Sequence, residues 1–192
     1  SSSGLQIIDV SNGSSPMLLG TYNTSVNAKD VTLSADGQTA YVADGSTGLH
    51  IVNVSNSASP TLLGMYNAEA YAVALSADGQ TAYVMSNSGL RIIDVSTSSN
   101  PTLLGTYNPS EYGYTNDVAL SPDGKTGYMV GSGGTKVVDV SNSSNPMLLG
   151  TYDSGGYAND LALSPDGQTA YVPFVGSELQ IIDVSTGSNP TL

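Results

Sequence analysis

The stretch LRIIDVSTSSNPTLLGTY, residues 90–107, decides the fold because the chain repeats it along its whole length. Close copies begin at Leu5, Leu49 and Thr135, and a fifth, shorter copy begins at Leu179. A second motif of the form LSADGQTAYV lies between the copies and begins at Leu33, Leu75, Leu120 and Leu163. These leucines are 42, 45 and 43 residues apart. A fixed period of this size indicates a repeat architecture, and a four-stranded propeller blade is one of the few units that fit it.

Each repeat predicts four short strands, here called A to D. Strand A has the form VALS and strand B the form TAYV, and an Asp-Gly turn joins them. Glycine supplies the positive φ of such a turn, and aspartate bonds the backbone two residues onward. The turn residues are Asp36, Gly37, Asp78, Gly79, Asp123, Gly124, Asp166 and Gly167. Strand C has the form LRIIDV and strand D the form PTLLGTY.

Strand C predicts sheets that are covered on both faces. Successive residues of a strand point to opposite faces, yet Leu90, Ile92 and Ile93 place apolar side chains on both. The second position of the strand varies among Gln6, His50, Arg91, Lys136 and Gln180, so we expect it to reach solvent. The prediction is an all-β propeller, or a propeller segment, of four-stranded antiparallel blades with about 43 residues per repeat.

The repeats divide the chain into a half-blade and four further units. The half-blade, with strands C and D only, spans residues 1–22. The repeats span residues 23–66, 67–107, 108–152 and 153–192, and the last is truncated. Unpaired strand edges invite association. Either the sequence is a window from a longer propeller, which we favour, or the half-blade completes a blade in a neighbouring subunit.

The motifs resemble those of the LVIVD-repeat proteins of bacterial and archaeal cell surfaces. The resemblance rests on LQIIDVS and LRIIDVS, followed by NPTLLGTY, and on TAYVADGSTGLHIVNVS at residues 39–55. It covers essentially the whole chain and implies a non-catalytic β-propeller at the cell surface. The LSPDGKT element that begins at Leu120 is also similar, more loosely, to the YVTN and lactonase-type propellers.

Charge and composition exclude several classes of partner. The net charge is −12, from 16 acidic residues against four basic ones. Nucleic acids and anionic membrane surfaces would be repelled by such a chain. No apolar run approaches the roughly 18 residues that span a bilayer, so we expect no membrane insertion. The acidic, lysine-poor composition predicts an extracellular or cell-surface location.

One face of the predicted array carries loops that differ between repeats. The D–A and B–C loops vary in length and emerge on the same side, which we call the loop face. Loops held on a rigid scaffold are the usual carriers of binding. Four tyrosines in or beside the D–A loops are candidate contacts to a protein or glycan ligand: Tyr71, Tyr112, Tyr114 and Tyr157. The simpler alternative, that their rings cover gaps between blades, stays open.

Aspartates occur at two recurring positions. Asp30, Asp117 and Asp160 each lie immediately before the predicted strand A, where converging carboxylates would suit Ca²⁺. Ala72 breaks this set, so we favour bonding to loop N–H groups over a calcium site. The second set is the aspartate of strand C, which is replaced by Asn53 in one repeat. We interpret this set as structural. Its other members are Asp9, Asp94, Asp139 and Asp183.

No catalytic constellation is visible in the sequence. The chain has one histidine, His50, and no cysteine, and its glycines fall in turns rather than in a phosphate-binding loop. We therefore predict a non-catalytic extracellular scaffold or adhesion module without a cofactor. Its partner would be a protein or glycan ligand, or copies of itself through strand edges. The alternatives are a structural subunit of an extracellular filament or sheath, joined through the half-blade, and a lactonase-like propeller enzyme.

Overall fold

The computed structural model describes residues 4–24, 27–108, 115–153, 155–176 and 178–192; in this part, 17 β-strands form five antiparallel sheets. The half-blade contains β1 (Leu5–Asp9) and β2 (Met17–Tyr22). The first full blade contains β3 (Asp30–Leu33), β4 (Thr39–Ala43), β5 (Leu49–Asn53) and β6 (Thr61–Tyr66). The second contains β7 (Ala72–Leu75), β8 (Thr81–Ser86), β9 (Gly89–Asp94) and β10 (Thr102–Tyr107).

The remaining strands form a third full blade and a three-stranded sheet. The third blade contains β11 (Thr115–Leu120), β12 (Thr126–Gly131), β13 (Gly134–Asp139) and β14 (Met147–Tyr152). The last sheet contains β15 (Ala162–Leu163), β16 (Thr169–Pro173) and β17 (Leu179–Asp183). Strands pair in chain order within every sheet, as in an up-and-down blade. The prediction of an all-β propeller segment is confirmed, and none of the described residues form a helix that could span a membrane.

The hydrophobic core lies between the blades rather than inside any one of them. Leu49 and Ile51 of the first blade pack against Val84 and Ile93 of the second, and all four are at most 1% exposed. Equivalent clusters join the second blade to the third and the third to the last sheet. A blade therefore needs an apolar residue at every position of strand C that meets a neighbour, which explains the LxII pattern.

The second position of strand C departs from the prediction in two repeats. His50 and Lys136 are only 4% and 3% exposed, so the expectation that this site reaches solvent is wrong for both. The reason is that strand C sits between two blades, and its neighbour covers the side chain. The ring of His50 meets the ring of Tyr22, from the preceding half-blade, edge to face with 5.9 Å between centroids.

The glycine of the LLGTY motif explains how closely the blades approach one another. A Cβ at Gly105 would collide with the carbonyl oxygen of Ser143, in the C–D turn of the next blade. The same collision would occur at each equivalent glycine of strand D: Gly20, Gly64 and Gly150. Only glycine leaves room for the turn to rest on the strand, so this residue sets the spacing between blades.

Replacing Gly105 with alanine should therefore destabilise the array. Because the collision is with backbone, we expect the free energy of unfolding to fall by about 2–3 kcal/mol. Gly13→Ala is the matched control, since a Cβ at Gly13 meets no atom within 4 Å. Urea unfolding followed by circular dichroism measures both variants. Equal stability of the two variants would contradict the spacing role of Gly105.

Candidate functional site

Two carboxyl groups from neighbouring blades meet on the loop face. Asp117 lies in β11, and Asp160 lies two residues before β15. The carboxyl group of Asp117 lies close enough to that of Asp160 for the neighbouring group to raise its pKa. Its Oδ2 also accepts a hydrogen bond of 3.0 Å from the backbone N–H of Leu161. The third blade and the last sheet thus each carry an aspartate at the start of strand A. The packing of one on the other brings the two aspartates together.

The surroundings of Asp117 favour its protonated form. Burial, together with the neighbouring carboxyl group of Asp160, raises the pKa of the Asp117 carboxyl to about 7. Two backbone N–H groups, from Leu161 and Val118, act in the opposite direction but are outweighed. Two carboxyl groups in contact resist ionising together, so the pair retains one proton close to neutral pH.

A β-bulge brings two further polar side chains to this pair. Thr115 pairs with Gly131 and Asp117 with Val130, which leaves Asn116 as the extra residue of β11. Such bulges redirect side chains and often lie beside functional sites. Asn116 Nδ2 donates to the carbonyl oxygen of Ala158 at 2.7 Å. Its Oδ1 accepts a hydrogen bond of 3.1 Å from the hydroxyl of Tyr157, which is 38% exposed.

We call Asn116, Asp117, Tyr157 and Asp160 the dyad site. It combines one predicted ligand-binding tyrosine with two of the predicted calcium candidates. Asn116 escaped the sequence reasoning because a bulge has no clear sequence signal in this repeat. The sequence groups the two aspartates, which are 43 residues apart, as converging carboxylates of a candidate calcium set, but it does not indicate that they meet as a pair without Asp30.

The other predicted site residues lie elsewhere. Asp30 Oδ2 accepts a hydrogen bond of 2.8 Å from the N–H of Val73 in the next blade, where Ala72 supplies no second carboxyl group. Within the described ranges no three His, Cys, Asp or Glu residues are placed to hold a metal ion, so these aspartates form no shared calcium site there. The hydroxyl of Tyr71 accepts a hydrogen bond of 3.1 Å from Asn87. Tyr112 and Tyr114 lie outside the described residues.

The recurring turn and strand C aspartates bind their own turns. Asp36 Oδ1 accepts hydrogen bonds from the hydroxyl of Ser34 and the N–H of Gln38, at 2.6 and 3.0 Å, which lower its pKa. The same pair of bonds recurs at Asp78, Asp123 and Asp166. In strand C, Asp94 Oδ1 accepts a hydrogen bond of 2.9 Å from the N–H of Ser96. Asn53, which replaces the aspartate in one repeat, accepts the same bond from the N–H of Ser55. These residues hold their own turns in place.

A buried polar cluster at the half-blade interface was missed by the sequence reasoning. His50 Nδ1 lies 3.0 Å from the hydroxyl of Tyr22, and its Nε2 lies 3.2 Å from Thr47 Oγ1 and 3.8 Å from Asp44 Oδ2. Burial lowers the pKa of His50, and the nearby Asp44 carboxylate opposes that shift. The available signal was Asp44 itself, since the other repeats carry Ser86, Gly131 and Phe174 at its position.

The raised pKa of Asp117 predicts the direction in which the free energy of unfolding changes with pH. The folded state holds this proton more tightly than the unfolded chain, whose aspartates titrate near 3.8. The resulting stabilisation is complete at low pH and is lost as pH rises through about 7. In Asp160→Asn the amide can donate to Asp117, which removes the part of this effect that comes from Asp160 and leaves the part that comes from burial. We therefore expect the urea midpoint to fall less between pH 4.5 and 7.5 in that variant than in the unmodified chain.

Asp78→Asn is the control for this measurement. The pKa of Asp78 lies below its usual value because Ser76 and the N–H of Gln80 bond its carboxylate. Its removal should leave the dependence on pH above 4.5 unchanged. A loss of stability that is equally steep in Asp160→Asn and Asp78→Asn would contradict the shared proton.

Solved structures share this fold at low sequence identity. A protein described as a 6-phosphogluconolactonase of Bacteroides fragilis has a TM-score of 0.81 and 15% identity, covering 97% of this chain and 62% of that chain. The periplasmic gluconolactonase PpgL of Pseudomonas aeruginosa has a TM-score of 0.72 and 17% identity, covering 92% and 59%. The Cps50 (Swd1) β-propeller domain of Myceliophteria thermophila has a TM-score of 0.74 and 15% identity, covering 97% and 66%.

These neighbours correct the predicted function. The prediction of a non-catalytic extracellular scaffold or adhesion module is contradicted, because propellers of closely matching fold are described as lactonases and none of the three as an adhesin. The absence of a catalytic motif in the sequence therefore does not exclude an enzyme. The chain spans less than two thirds of the length of each of the three neighbours.

Sequence comparison assigns the family. No protein of established annotation is similar enough in sequence to count as a relative. The model of the LVIVD repeat matches five successive segments: residues 1–24, 27–68, 70–109, 112–154 and 155–192. These segments follow the half-blade and the four repeats along the chain. The protein belongs to the LVIVD repeat family.

Proposed function

We propose that this chain is part of a lactonase-like propeller enzyme and that the dyad site hydrolyses the lactone of a small sugar acid. The observation that carries the proposal is the meeting of two blades at Asp117, whose Oδ2 accepts a hydrogen bond of 3.0 Å from the N–H of Leu161, the residue after Asp160. Burial and the neighbouring carboxyl group of Asp160 raise the pKa of Asp117 to about 7. The descriptions of two propellers of the same fold as lactonases support the choice of reaction.

A carboxyl pair with one proton supplies both groups that lactone hydrolysis needs. Asp160, which is exposed, acts as the carboxylate that takes a proton from a water molecule attacking the lactone carbonyl carbon. Asp117 gives its proton to the ring oxygen as the bond between carbonyl carbon and ring oxygen breaks. The product is the open-chain hydroxy acid, and the proton taken from water restores the pair. Opposite roles for two carboxyl groups follow from their different burial.

Tyr157 and Asn116 would orient the substrate. The ring of Tyr157 is partly exposed beside the dyad, and aromatic faces are suited to stacking on sugar rings. Its hydroxyl is held by Asn116, which is itself held by the carbonyl oxygen of Ala158. This chain of hydrogen bonds limits the movement of the tyrosine ring.

The charge of the site favours a neutral substrate. The dyad lies in a chain of net charge −12, and a phosphorylated sugar would approach it against this field. We therefore propose an uncharged lactone such as gluconolactone rather than a phosphogluconolactone. Extracellular or cell-surface location stays a prediction from composition and agrees with a free sugar lactone as substrate.

The test is hydrolysis of gluconolactone by the chain, followed in a pH-stat against the spontaneous rate. Asp117→Asn and Asp160→Asn should each lower kcat/KM by about 100-fold or more, as expected for loss of a general acid or base. In Asp117→Asn the amide oxygen can still accept the hydrogen bond from Leu161, so the fold should persist in that variant. Asp78→Asn should retain full activity, because asparagine can make the same turn.

Two results would overturn the proposal. One is a rate of lactone hydrolysis no higher than the spontaneous rate in the unmodified, folded chain. The other is activity that survives in both dyad variants. Circular dichroism of each variant establishes that the compared proteins are folded.

A further inference from the structure

Two C–D turns carry the acceptor triplet for N-linked glycans, which has no part in the dyad site. This triplet is Asn-x-Ser/Thr, with any residue except proline in the middle. It begins at Asn12 in the turn after β1 and at Asn142 in the turn after β13, and it also begins at Asn23 and Asn53. A chain so rich in serine and asparagine contains such triplets by chance, so the local structure decides which of them a transferase can use. The triplet of Asn23 ends at Ser25, which lies outside the described residues.

The two turns hold their asparagine side chains in the same way. Asn142 Oδ1 accepts hydrogen bonds from the N–H of Ser144 at 3.2 Å and from its hydroxyl at 2.8 Å. Asn12 Oδ1 accepts the same two bonds from Ser14, at 3.2 and 2.8 Å. Both asparagines are exposed. All these bonds end on the carboxamide oxygen, so the nitrogen, which is the atom that receives the sugar, takes part in none of them.

The contact between the turn and the preceding blade does not fall on Asn142. The carbonyl oxygen of Asn142 accepts a hydrogen bond of 3.0 Å from the N–H of Asn145, within the same turn. The residue that meets the second blade is Ser143, whose carbonyl oxygen would collide with a Cβ on Gly105. The acceptor side chain therefore stays at the surface although its turn packs against a neighbour.

Asn53 has the same side-chain bonds but not the same access. Its Oδ1 accepts hydrogen bonds from the N–H and the hydroxyl of Ser55, at 2.9 and 2.7 Å. Asn53 is, however, the half-buried last residue of β5, where it pairs with Thr39 on one side and Thr61 on the other. A transferase acts on surface loops, so the sheet closes this triplet to it in the folded chain.

We propose that Asn12 and Asn142 are acceptor sites for an N-linked glycan, on the face opposite the loop face, and that Asn53 is not. The amide nitrogen of each asparagine forms a bond to the first sugar carbon of a lipid-linked oligosaccharide, and the bond from that carbon to the lipid diphosphate breaks. The diphosphate leaves with the electron pair, and one amide proton passes to a basic group of the oligosaccharyltransferase. The predicted extracellular or cell-surface location agrees with such a modification.

A glycan at Asn142 would lie beside exposed apolar side chains. Its turn leads into β14, the edge strand of the third blade, in which Met147 and Leu148 are 59% and 47% exposed. Met17 and Leu18 follow the first turn in the same way and are 61% and 58% exposed. A bulky, hydrophilic glycan at the start of such a strand would hinder its association with other chains.

The test is glycosylation of the purified, folded chain by an oligosaccharyltransferase that modifies synthetic peptides of all three triplets. The donor is a synthetic lipid-linked oligosaccharide. Enzymatic release of the glycans in heavy-oxygen water marks each modified asparagine for mass spectrometry. We expect modification at Asn12 and Asn142, and at least about tenfold less at Asn53, because reaching Asn53 requires local opening of the sheet.

Two single substitutions in C–D turns are matched controls. Ser144→Ala removes the hydroxyl and should abolish modification at Asn142 while Asn12 stays modified. Asn56 has the equivalent place in the first blade, where its Oδ1 accepts a hydrogen bond of 3.2 Å from the N–H of Ala58, which has no hydroxyl. Ala58→Ser completes the triplet and should make Asn56 a new acceptor. Both substituted residues are exposed, so both variants should fold.

Three results would overturn the proposal. One is a folded chain in which Asn12 and Asn142 stay unmodified although the transferase modifies the peptides. The second is equal modification of Asn53 and Asn142, which would mean that the fold does not select the site. The third is an unmodified Asn56 in the Ala58→Ser variant, because the C–D turn would then not present an acceptor triplet.

Discussion

The contact between the glycine of strand D and the C–D turn of the next blade is the constraint on which the structure depends. At each of four successive positions, a side chain on the glycine would strike a backbone carbonyl oxygen of the following unit. The blades can therefore stack closely enough to bury Leu49 and Ile51, and likewise Leu90 and Ile92 of the second blade. Each unit is stable only against its neighbours, as in other repeat proteins. A single blade has no core of its own.

Close stacking also creates the dyad site. The start of strand A in one blade lies against the start of strand A in the next. A residue at this position therefore contacts the residue at the equivalent position of the next blade. Asp30 meets Ala72 and simply bonds the N–H of Val73. Asp117 meets Asp160, and burial together with this second carboxyl group raises the pKa of Asp117 to about 7. The aspartate at the start of strand A is thus a structural link between blades at Asp30 and one half of a candidate catalytic pair at Asp117. The difference lies in the residue at the equivalent position of the next blade.

The sequence predicts the fold well because the same strand and turn motifs recur at a fixed period. The spacing of Leu33, Leu75 and Leu120 defines the blade, and the Asp-Gly turns define the strand boundaries. The candidate site is predicted only in part. The sequence predicts Asp117 and Asp160 as members of one carboxylate set and Tyr157 as a loop-face tyrosine, but the link between them depends on the stacking of blades and on the bulge at Asn116. The burial of His50 was missed for the same reason, since the covering residue, Tyr22, belongs to another repeat.

The central claim is that Asp117 takes up a proton close to neutral pH because its carboxyl group is buried and faces that of Asp160. The direct measurement is a pH titration of the side-chain carboxyl carbon of Asp117 by ¹³C NMR in the folded chain. The account predicts a midpoint near the value of about 7 that burial and the neighbouring carboxyl group impose. A midpoint at or below the ordinary aspartate value of 3.8 would mean that the two groups do not share a proton, and the proposed chemistry would lose its basis.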